Sequence, residues 1–72
     1  MSGYKEFDLV ALLYDLPEHS LLRGQMGTIV MVHTPEDFEV EFIGNNGYTY
    51  ALLTLNADKL IRIHRDLPKN VG

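Results

Sequence analysis

Few side chains in this 72-residue chain could do chemistry, and their spacing argues against most of it. A metal site needs converging histidine and carboxylate ligands. His19, His33 and His64 fall on three different segments, and no HxH, HxxH or HExxH spacing occurs. They read as solvent-exposed structural histidines. Ser20 follows His19 directly, and neighbours in sequence do not give the geometry of a nucleophile and its base. No GxSxG elbow is present. Glu39 and Glu41 alternate along one segment, so both face one side of a strand, while Glu36 and Asp37 sit in turn-forming sequence. That pattern describes a solvated acidic stripe better than an acid–base pair. Gly24 and Gly27 lack the GxxxxGK[ST] spacing of a phosphate loop, and strand-forming sequence follows them where a helix should begin. No catalytic, metal-binding or cofactor-binding residue is assigned, and the chain is expected not to be an enzyme.

The elements that must carry these residues are short and strand-like. Apolar residues make up 46% of the chain, enough to build one efficient small core. The run 7–13, FDLVALL, is too short for a confident helix and reads as a strand buried on much of both faces. Asp15-Leu16-Pro17-Glu18 ends it and opens a loop that runs to Arg23-Gly24. TIVMVH at 28–33 is rich in β-branched residues. Thr34-Pro35-Glu36-Asp37 is turn chemistry. FEVEFI at 38–43 alternates, with Phe38, Val40 and Phe42 inward and Glu39 and Glu41 outward. Asn46-Gly47 signals a type I′ hairpin into YTYALLT at 48–54. Cross-strand pairing would bring Tyr48 and Tyr50 near the aromatics of the preceding strand. Asn56 can cap a 3₁₀ turn before a last short strand, 60–64, with Arg62 outward.

Strand, long loop, three strands joined by tight turns, a 3₁₀ turn and a short strand is the order of a small SH3-like barrel. The expected fold class is therefore all-β, a barrel of about five strands with a 3₁₀ turn before the last. The barrel is expected over 7–65, between flexible tails at 1–6 and 66–72. Such a fold leaves little room for an enclosed small-molecule pocket.

Charge and cysteine content narrow the partners. The formal net charge is −4, with Lys5, Arg23, Lys59, Arg62, Arg65 and Lys69 the only strong cations. Nucleic-acid binders favour a basic surface, so nucleic acid is a disfavoured partner and a basic protein a favoured one. With no cysteine there is no disulfide framework, thiolate site or cysteine nucleophile. A small secreted domain usually needs such staples, which points to the cytoplasm. No leader and no membrane-spanning apolar run is read in the sequence.

The residues favoured for partner binding are Tyr14, Asp15, Pro17, Glu18 and His19 in the first loop, with Glu39, Glu41, Tyr48 and Tyr50 on the hairpin strands. Loops on a rigid scaffold often carry recognition, and tyrosine joins apolar area to one polar tip. Against this, Leu16 and Pro17 also suit a purely structural turn. The apolar surplus of Leu9 to Leu13, Ile29, Met31 and Leu53 leaves room for a homodimer interface.

FDLVALLYDLPEH, LLRGQMGTIV, FEVEFI and YALLTLNADKLIRI together resemble the bacterial domain-of-unknown-function family 4926, over roughly 7–64. The resemblance implies an SH3-like barrel acting as a small stand-alone protein. It carries no family catalytic residues. It also suggests an antitoxin or immunity partner of a neighbouring gene product. The short stretch RGQMGTIV is similar to the strand entry of KOW modules of ribosome- and transcription-associated proteins, which would make an RNA-binding barrel the alternative. A tight turn into a strand explains the same residues.

Overall fold

The computed structural model describes residues 3–44 and 49–63. Five strands form one antiparallel sheet: β1 (Leu9–Leu12), β2 (Met26–Thr34), β3 (Asp37–Ile43), β4 (Thr49–Asn56) and β5 (Leu60–Arg62). Two 3₁₀ turns, η1 (Pro17–His19) and η2 (Ala57–Lys59), lie before β2 and β5. The expected all-β class, the strand count and the 3₁₀ turn before the last strand are all present. The strands are ordered β4-β3-β2-β1-β5, so consecutive strands pair and β5 returns beside β1. The sheet is open, with β4 and β5 as its edges.

Alternation determines which side chains meet. In β3, Phe38, Val40 and Phe42 are fully buried, while Glu39 and Glu41 face outward, as their spacing predicts. Val10 and Leu12 of β1, Ile29 of β2, Leu60 of β5 and Leu21 of the first loop complete one cluster. Leu53 and Leu55 of β4 pack against it. Among the described residues no α-helix covers the sheet. Register shifts in the β2–β3 ladder, between Ile29 and Met31 and between Val32 and Thr34, supply local bending.

The two glycines in RGQMG have separate reasons, one conformational and one of packing. Gly24 turns the chain at φ 88°, a conformation that side chains disfavour. Gly27 faces the core, where an added Cβ would stand 2.8 Å from Val40 Cγ1 and 2.9 Å from Phe42 Cε2. The motif is thus accounted for by the fold itself.

Both ends of the expected elements need correction. The first strand begins at Leu9 rather than Phe7. Phe7 takes φ 72° and is 74% exposed, while its amide donates to the Ile29 carbonyl. Within the segment expected as an N-terminal tail, Tyr4 packs on the core, 5.0 Å from Phe38 between ring centroids. Arg62 does not point outward. Its register partner is inward-facing Val10, and its guanidinium lies 4.8 Å from the Tyr4 ring centroid and 3.3 Å from Asp8 Oδ2. A charge can take the inward position here because an aromatic face and a carboxylate receive it. The hairpin turn Asn46-Gly47, His64 and the tail expected at 66–72 lie outside the described residues.

Candidate functional site

The first loop is a small, tightly tied projection. Leu16 and Leu21 form an isolated antiparallel bridge, with the Leu16 amide donating to the Leu21 carbonyl at 2.9 Å and the reverse bond at 3.2 Å. Between them the chain makes η1 and reverses at Ser20, whose φ of 59° lies in the left-handed region. Pro17 starts η1, where its missing N–H has no helical partner to lose. Leu21 is wholly buried and Leu16 half-buried, so the loop is rooted in the core. Pro17, Glu18 and His19 are all exposed at its tip. Leu16 thus serves the structural role while its neighbours are presented to solvent.

The base of the loop is equally constrained. Gly24 N–H donates to the Leu12 carbonyl at 2.8 Å, and Leu12 N–H donates to the Gln25 carbonyl at 3.0 Å. Asp15 Oδ1 accepts from the Arg23 amide at 2.8 Å, tying the two arms together. Tyr14 is 58% exposed, with Lys59 Nζ 5.8 Å from its ring centroid. Leu13, Tyr14, Asp15 and Arg23 line an open cleft of about 430 Å³. Its mixed lining offers an aromatic face, an acid and a base, without the apolar enclosure that small-molecule sites favour.

Tyr50 joins this region from β4. It sits at the register shift near the start of that strand, is half exposed, and its hydroxyl donates to the Ser20 carbonyl at 3.3 Å. Tyr50 is half exposed rather than packed among the inward aromatics of β3, since its neighbour Ala51 is the residue that pairs with buried Phe42. Tyr14, Asp15, Pro17, Glu18 and His19 therefore share the loop, and Tyr50 reaches it at Ser20. Tyr48 lies outside the described residues.

Glu39 and Glu41 belong to a different place, the outer face of β3. Glu39 Oε1 accepts from Thr54 Oγ1 at 2.8 Å and is 3.0 Å from His33 Nε2. These hydrogen bonds, the His33 one foremost, hold the Glu39 carboxyl below its ordinary range. Glu41 is paired across the ladder with Thr28 on one side and Leu52 on the other. Among the described residues, no group of three or more histidine or acidic side chains could hold a metal ion. No described helix is long and apolar enough to cross a membrane.

Sequence reasoning missed Leu22, Arg23, Leu52 and Thr54. Leu22 is exposed although its neighbour Leu21 is core, and the Leu21-Leu22 doublet carries no sign of which is which. Exposed Met26 and Ile61 both pair with Ala11, so they flank it on the outer face of β1. Of the apolar surplus, Ile29 is core, Leu53 packs against it, and Met31 is half exposed.

Residues 6–62 match the family model described as Domain of unknown function (DUF4926). No curated protein and no solved structure matches the chain.

Proposed function

We propose that this chain, which belongs to the DUF4926 family, is a non-enzymatic protein-interaction module. The observation that carries the reading is the rooted first loop. Its Leu16–Leu21 bridge presents Pro17, Glu18 and His19 rigidly, with exposed Tyr14 and Tyr50 at its flanks. Rigid presentation lowers the ordering cost of binding, and exposed tyrosines are suited to anchoring an interface. The net charge of −4 favours a basic partner. An antitoxin or immunity protein that masks a basic product of a neighbouring gene in the cytoplasm fits this chemistry.

The test is capture of partners by the tagged chain from a lysate of the organism that encodes it, with and without nuclease. A stoichiometric protein partner that survives nuclease and is lost with Tyr14→Ala and Tyr50→Ala supports the proposal. Recovery of RNA or ribosomal proteins that vanishes with nuclease would replace it with the RNA-binding alternative. An empty lane sinks it.

A further inference from the structure

Among the described residues, the long edge of the sheet, β4, carries an unclaimed hydrogen-bonding row. The Ala57 amide donates to the Glu36 carbonyl at 2.8 Å, and these two residues oppose each other one step beyond the Asp37–Asn56 pair. Bonded pairs alternate in an antiparallel ladder, so Phe38–Leu55, Val40–Leu53 and Phe42–Ala51 are the bonded ones. The N–H and C=O groups of Leu52 and Thr54 then point away from β3. Among the described residues no strand lies on that side.

Natural edges are usually shortened, charged or broken by proline. β4 has eight residues, TYALLTLN, with no charge, proline or glycine. Its one irregularity is the shift at the Tyr50 end, and the register from Ala51 to Asn56 is continuous. Leu52 is 52% exposed on the outer face.

The geometry points to strand addition: an extended segment of a partner protein pairs with β4, bearing basic residues at alternate positions and apolar ones between. This rests on the protein-interaction reading above and supplies a binding mode for it. Charge selects the occupant. An added strand lies two strand spacings from β3, about 10 Å, within reach of a lysine or arginine side chain crossing β4. Glu39 and Glu41 make the outer face of β3 acidic at that place. On the other face, the intervening residues of the segment would extend the cover over half-buried Leu53 and Leu55. Alternating lysine and valine satisfies both faces.

The experiment titrates an alternating lysine–valine octapeptide into the isotopically labelled full chain and follows amide hydrogen exchange. Exchange at Leu52 and Thr54 is expected to slow at least tenfold. A glutamate–valine peptide is expected to bind at least tenfold more weakly. A lysine–valine peptide N-methylated along its β4-facing edge is expected not to bind, a control that leaves the protein unaltered. Equal binding of the three peptides, binding without protection of Leu52 and Thr54, or no binding overturns strand addition. So does a free chain already dimeric with those amides protected, since a second copy would then hold the edge. A lysate partner retained by a folded Leu52→Pro variant overturns strand addition while leaving the proposed function intact. Failure to capture any partner strikes the proposed function, and the peptide titration still reports on the edge.

Discussion

β4 and β5 both border the sheet, but they meet solvent with opposite chemistry. β5 has three residues, follows Lys59 and ends at Arg62, whose guanidinium folds back over Tyr4 and Asp8. Short length and nearby charge make it a poor template for a further strand. β4 has eight uncharged residues and a ladder that is continuous from Ala51 to Asn56 behind it. The difference teaches that an edge role cannot be read from apolar content alone. Exposed Ile61 and Leu52 are equally apolar, yet of the two only Leu52 stands within a long row left unpaired among the described residues.

The most severe test of this contrast compares proline at two adjacent positions of β4. Leu53→Pro removes a donor bonded to Val40 and places a ring against the core, and is expected to cost more than about 4 kcal/mol, abolishing cooperative unfolding in urea. Leu52→Pro removes a donor that faces outward and is expected to cost only about 1 kcal/mol. Similar losses at both sites would show that the phase assigned to the ladder is wrong.

The edges depend on the β2–β3 centre between them. Phe42→Ala is expected to lower stability by about 3–5 kcal/mol in the same denaturation measurement. Gly27→Ala is expected to cost about 1–3 kcal/mol, because its Cβ would crowd Val40 and Phe42. Combining the two should cost less than their sum, since the first opens space that the second needs. Strict additivity would argue against that contact.

Asn56 joins the long edge to the short one. Its Oδ1 accepts from the Asp58 amide and its Nδ2 donates to Asp37 Oδ1, both at 3.0 Å. Asn56→Ala is expected to lose about 0.5–2 kcal/mol and to speed amide exchange in η2 and β5 before β4.

The smallest expected effect concerns Glu39 beside the long edge. Its folded pKa lies below its ordinary value, so its stabilising contribution is present above that value. It fades as pH falls through the lowered folded value. Glu39→Gln should flatten the acid limb of a melting-temperature profile, and Thr54→Val should flatten it in part. An unchanged limb in both variants would remove these hydrogen bonds as the cause.

Much of this fold was legible in the residues. The alternation of FEVEFI placed Phe38, Val40 and Phe42 inside, and Asn56 announced its cap one turn before the last strand. The candidate surface was only partly legible. Tyr14, Asp15, Pro17, Glu18 and His19 stand on one loop because they are neighbours in sequence. That Tyr50 reaches Ser20, thirty residues earlier in the chain, depends on where β4 lies relative to the first loop, which no local pattern reports.

Sequence by itself determined the strand periods, the turns and the acidic balance, since these are local properties of side-chain size, branching and charge. Tertiary structure decided which of Leu21 and Leu22 is buried, that Arg62 turns inward, and that β4 is an open edge among the described residues. Each of those depends on which strands become neighbours, and that is settled only when the sheet assembles around its shared core.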